Sequence, residues 1–66
     1  MTETSMPQMT RIQQKNRELI LNGALEAFSA NGLRGATIDQ IARAAGLSKP
    51  NVLYYFGSKD EIHKAL

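Results

Sequence analysis

Residues 37–59 read TIDQIARAAGLSKPNVLYYFGSK, and the fold turns on how this stretch divides. Thr37 with Gln40 three residues on is a capping box, in which each residue's side chain bonds the other's backbone N–H. The helix it opens places Ile38, Ile41, Ala42 and Ala45 on one stripe. Gly46 stops that helix near Ala45, and Leu47 plugs the turn. Ser48 caps a second helix, and Pro50 falls in its first turn, where a missing N–H costs nothing. Gly57 is expected to close this helix after Phe56. Ser58-Lys59-Asp60-Glu61 is another capping box and opens a further helix.

Upstream, no proline interrupts Arg11 to Asn31. Ile20, Ala24, Ala27 and Phe28 recur at three- and four-residue spacing, and Leu21 and Leu25 widen the stripe. This is an amphipathic helix of about five turns. Gly23 inside it is either a mild defect or the mark of a close helix approach. Gly32 suits the left-handed position that ends a helix, and Leu33 to Ala36 follow as a short loop. No segment alternates at period two, so the chain is all-α. It holds one long helix, two short ones joined by a tight glycine turn, and the start of a fourth.

With 66 residues the chain is one small domain. It has no cysteine, which excludes a disulfide framework and a thiolate metal site. No metal site and no cofactor are expected. The first nine residues, MTETSMPQM, lack the basic start and apolar run of a signal peptide. Residues 1–10 are expected to form a disordered polar tail. No window approaches the ~18 apolar residues of a membrane span, so a cytoplasmic protein with no membrane partner is expected.

The formal net charge is only +2, and its placement says more than its size. The segment 40–58 contains Arg43 and Lys49 and no carboxylate, which makes it tolerable beside phosphates. Catalytic signals are absent. There is no G-x-S-x-G elbow around a serine and no strand to precede a glycine-rich phosphate loop. Asp60 and Glu61 sit at a helix start, where the dipole favours acids for structural reasons. His63, the one histidine, is expected to be solvated or partly packed. No catalytic residue is assigned, and the chain is read as a non-enzyme.

Three of the four aromatics, Tyr54, Tyr55 and Phe56, stand side by side. At ~100° per residue, adjacent side chains cannot share one face. Val52 and Phe56 lie within about 40° of each other and turn inward, with Leu53 at the margin. Pro50, Asn51, Tyr54 and Tyr55 are placed on the outer side. Two short helices around a glycine turn have the shape of a DNA-binding helix-turn-helix, here at about residues 37–56. Its second helix, 49–56, would enter the major groove. Asn51 can pair with adenine, Lys49 can reach guanine and Pro50 can touch a thymine methyl. Tyrosine hydroxyls can donate to phosphates, as can the helix starts capped by Thr37, Ser48 and Ser58. Tyrosines are also often half-buried with a wet hydroxyl, so either phenol alone could instead cover the core or the long helix.

The run from Thr37 to Ile62, TIDQIARAAGLSKPNVLYYFGSKDEI, resembles the DNA-binding domain of TetR-type bacterial transcriptional regulators. ILNGALEAFSANG, residues 20–32, is similar to the first helix and glycine of that family. The resemblance spans residues 11–66. It implies a three-helix, homeodomain-like domain followed by the start of a fourth helix. It also implies that Thr37 meets phosphate and that Lys49, Pro50 and Asn51 meet bases or nearby sugar-phosphate. Tyr55 and Lys59 match its phosphate-contacting positions. Many members have tyrosine where this chain has Leu53, which puts Leu53 at a contact position beside Tyr54. The Leu-Tyr-Tyr-Phe order is similar to that of some pyrimidine-responsive members of the RutR type. The partners implied are double-stranded operator DNA, a second copy of the chain, and a small-molecule effector held by a C-terminal domain outside these residues. The rival class is a helical protein-interaction module whose exposed tyrosines anchor a protein partner.

Overall fold

The computed structural model describes residues 11–66; the expected disordered tail, residues 1–10, lies outside the described residues. Four helices follow in order: α1 Arg11–Gly35, α2 Ile38–Ala45, α3 Lys49–Tyr55 and α4 Lys59–Ala65. The expected all-α fold, two short helices on one long one with a fourth behind, is what the chain forms.

Local chemistry fixes the junctions. The Thr37 Oγ1 accepts from the Gln40 N–H at 3.1 Å, and Gln40 Oε1 accepts from the Thr37 N–H at 3.1 Å, completing the capping box. At the other end of α2, Gly46 adopts φ 76°, ψ 24°, the left-handed conformation that an L side chain resists. Its N–H donates to the Arg43 carbonyl at 3.2 Å, and the Leu47 N–H reaches back to the Ala42 carbonyl at 2.9 Å. That pair of bonds is the Schellman motif, and Leu47 then packs on the core as the motif's apolar follower. Ser48 Oγ caps α3 by accepting from the Asn51 N–H at 3.2 Å, and Ser58 Oγ caps α4 through the Glu61 N–H at 3.2 Å.

Three boundaries differ from expectation. Residues 33–35 are helical rather than loop: α1 breaks at Gly32 and resumes for one turn. Gly32 takes φ 77°, ψ 166°, a region open essentially to glycine alone, and not the left-handed cap expected. Helix α3 ends at Tyr55, one residue early, because Phe56 is already extended at φ −133°, ψ 123°. The second capping box closes on a different donor, with Glu61 Oε1 accepting from the Gly57 N–H at 3.0 Å.

The core takes one or more side chains from every helix. Ile20, Ile41, Val52 and Ile62, from α1 to α4 in turn, are fully buried. Each such aliphatic side chain is worth roughly 1.5–3 kcal/mol of burial. Ala24 and Ala27 of α1, Ala42 and Ala45 of α2, and Phe56 are buried in the same cluster. Leu25 departs from its expected place on the stripe and is 55% exposed.

Gly23 resolves in favour of close approach. A Cβ built there would lie 2.9 Å from the Ala45 nitrogen and 3.0 Å from the Ile41 carbonyl oxygen. Those are backbone atoms, which cannot swing aside as a side-chain tip does. Gly23→Ala is therefore expected to force α1 and α2 apart and to cost about 1–3 kcal/mol in a urea titration. Gly57→Ala is the control: the new Cβ meets only the flexible Glu61 side chain, at 3.4 Å. It should fall within about 0.5 kcal/mol of the parent.

Candidate nucleic-acid interface

Helix α3 presents one face to the core and another to solvent. Val52 is buried; Pro50, Asn51, Leu53 and Tyr54 are exposed, Leu53 to 40% and Tyr54 to 73%. Lys49 begins the helix and lies 3.9 Å from Asp39 in the first turn of α2. Both side chains are more than half exposed, so the pair is worth little and yields readily to another anion. Thr37 and Ser48 are also exposed. Each hydroxyl accepts a backbone N–H within its cap and keeps its own proton to donate outward.

Tyr55 does not share the outer side with Tyr54: it is half-buried and packs against the core, the alternative open to either phenol. Its hydroxyl accepts from Nδ2 of Asn16 on α1 at 3.3 Å. Leu53 and Tyr55 stand at similar angles on either side of the Val52–Phe56 stripe, and α1 covers the Tyr55 side. The two tyrosine rings meet edge to face, 5.1 Å apart at 89°. The arrangement is favourable for aromatic quadrupoles.

Lys59, matched by the resemblance to a phosphate-contacting position, is bonded within the protein. Its ammonium donates to the Ala36 carbonyl at 2.9 Å and lies 3.5 Å from the Arg34 carbonyl. One oxygen belongs to the last turn of α1 and the other to the link between α1 and α2, so the start of α4 is tied to the entry of α2. His63 is exposed, and its ring and that of Phe28 stand at 76° with their centres 5.7 Å apart.

Two contributors on α1 were missed. Besides Asn16, Arg17 sets its guanidinium 5.4 Å from the centre of the Phe56 ring, a cation–π contact. Both hold the C-terminal end of α3. Asn16 and Arg17 lie almost forty residues before their partners, and no local pattern marks them. No helix among the described residues is long and apolar enough to cross a membrane.

A small-residue-packed α2, a Schellman turn and an α3 with an exposed polar and aromatic face define a helix-turn-helix of the DNA-binding type. The model of "Bacterial regulatory proteins, tetR family" matches residues 20–66. The chain belongs to the tetR family of bacterial regulatory proteins, whose members are DNA-binding transcriptional regulators. It is 42% identical over 57 residues to the HTH-type transcriptional regulator RutR of Escherichia coli K12, a match covering 86% of this chain and 27% of that protein. Against the HTH-type transcriptional regulator SrpR of Pseudomonas putida the identity is 42% over 53 residues, covering 80% and 25%. The HTH-type transcriptional repressor AcnR of Corynebacterium efficiens is 35% identical over 51 residues, covering 77% and 27%. The chain thus spans about a quarter of the length of these relatives. The RutR match accords with the resemblance drawn from residues 53–56.

The two lysines predict opposite behaviour. Lys59→Met keeps the aliphatic stem and removes the bonds to Ala36 and Arg34, and should cost about 1 kcal/mol of stability by chemical denaturation. Lys49→Met loses only an exposed ion pair and should stay within about 0.5 kcal/mol of the parent.

Proposed function

We propose that this chain is the operator-reading domain of a ligand-responsive bacterial repressor, working in the cytoplasm and without enzymatic activity. The observation that carries the proposal is the solvent face of α3. Pro50, Asn51, Leu53 and Tyr54 are all exposed there, within a segment, 40–58, that contains no carboxylate. An α-helix of this kind fits the major groove of B-DNA, and the carboxylate near its start, Asp39, is paired with Lys49.

In this role Asn51 reads an adenine edge and Lys49, released from Asp39, reaches a guanine or the adjoining phosphate. Pro50 and Leu53 make apolar contact, which suits thymine methyls, and Tyr54 lies along the groove. Thr37 and Ser48 donate their hydroxyl protons to phosphate oxygens on either side of the turn. Tyr55 and Lys59 act from behind the face: Tyr55 holds α3 to α1, and Lys59 holds the start of α4 to that of α2. A phosphate contact by either would draw on whatever proton its internal bond leaves free.

One domain reads one half-site. Two copies in a homodimer would bind half-sites one helical turn apart, which is how such modules reach useful affinity. The small-molecule effector would bind residues outside this chain, in keeping with the short span it covers of its relatives.

The test is binding of the whole natural protein to duplexes that it selects from a random pool. Selective binding with a steep fall in affinity as salt rises is expected, since counterions leave the phosphates on binding. Asn51→Ala should weaken the selected site by about 10-fold and relax preference at one base pair, leaving binding to unrelated duplex unchanged. Affinity that ignores salt, together with no selected sequence, would point to a protein partner anchored on Tyr54.

A further inference from the structure

We propose that Asn16, on α1, is a positioning residue for Tyr54, the most exposed aromatic ring of the recognition helix, and that it acts through Tyr55. The inference rests on the operator-reading role of α3.

Three observations meet in one line. Nδ2 of Asn16 donates to the Tyr55 hydroxyl at 3.3 Å. The Tyr55 ring stands edge to face with the Tyr54 ring, 5.1 Å away and at 89°. Tyr54 is 73% exposed, whereas Tyr55 is half-buried and packed against the core. A surface tyrosine with no neighbour samples several rotamers. Tyr54 has a neighbour, and that neighbour is fixed at both ends: its backbone belongs to α3 and its hydroxyl is bound to α1.

The consequence concerns binding more than folding. Ordering a side chain on binding lowers affinity, and a side chain already ordered avoids that loss. Asn16 supplies the order from outside the helix-turn-helix, so α1 contributes to sequence reading without touching DNA. On the operator-reading role, Thr37 and Ser48 carry the phosphate contacts and Tyr54 lies in the groove, so attraction to DNA of any sequence is expected not to depend on Asn16. What depends on it is the preference for the selected site over other sequences.

The test compares affinity for the selected duplex with affinity for a scrambled duplex, in the whole natural protein, with the folded fraction followed by circular dichroism. Asn16→Ala is expected to lower this ratio roughly 5-fold, the amount one neutral hydrogen bond is worth. Tyr55→Phe, which keeps the ring and removes the hydroxyl, should lower it equally, and the double variant should lose no more than either single one. The salt dependence of scrambled-duplex binding should stay as in the parent. The decisive comparison is made in a Tyr54→Ala background, where Asn16→Ala should have no further effect on the ratio. A purely structural Asn16 would lower both affinities together, or would act equally with and without Tyr54; either result overturns the proposal. An unchanged ratio in both Asn16→Ala and Tyr55→Phe overturns it as well. If the parent protein selects no sequence at all, the operator-reading role falls, and this inference falls with it.

Discussion

Everything in this domain rests on how closely α1 can approach α2. The contact is backbone to backbone at Gly23, where the space a methyl group would need is filled by the Ala45 nitrogen and the Ile41 carbonyl. The alanines on either side continue the fit, since Ala24, Ala27, Ala42 and Ala45 are all buried. Small residues bury little area each, so the contact does not supply most of the stability. It sets the distance. With α2 seated at that distance, Ile20, Ile41, Val52 and Ile62 converge from four helices into one core. A larger residue at the seam would push α2 away from α1 and open that core.

From that seam, short-range chemistry carries the geometry to the contact face. The Schellman turn at Gly46 satisfies the last carbonyls of α2 while redirecting the chain, and Ser48 at once satisfies the first N–H groups of α3. Only three residues separate the two helices, so the angle of α3 follows from α2 with little freedom. The far end of α3 has no such neighbour in sequence. It is held across space instead, by Asn16 on Tyr55 and by Arg17 over the Phe56 ring. A recognition helix needs both ends fixed, because a base contact tolerates little displacement at the end of a lever.

Helix α4 is bound into the same frame. Ile62 enters the core, His63 lies against Phe28, and Lys59 reaches the Ala36 carbonyl between α1 and α2. A lysine beside carbonyl oxygens at the end of a helix is stabilising on general electrostatic grounds, since that end carries partial negative charge. The consequence is that α4 cannot shift without disturbing the entry of α2. The family's pattern treats Lys59 as a phosphate-contacting position; its ammonium is bonded within the protein.

By itself the sequence determined the features made within a few residues of chain. The caps at Thr37, Ser48 and Ser58, the turn at Gly46, the place of Pro50 and the inward stripe of Ile41, Ala42, Ala45 and Val52 could all be read directly. Their causes are hydrogen bonds spanning three to five residues and a helical repeat that no distant contact can alter. Tertiary structure decided the rest. Helical angles put Leu53 and Tyr55 at equal distances from the core stripe, so nothing local could say which would be covered. The position of α1 settled it, leaving Leu53 in solvent and turning Tyr55 to Asn16, 39 residues away in sequence. Lys59 likewise found oxygens 23 and 25 residues earlier. A side chain on the margin of a face is assigned by its neighbours in space, and those exist only once the helices have packed.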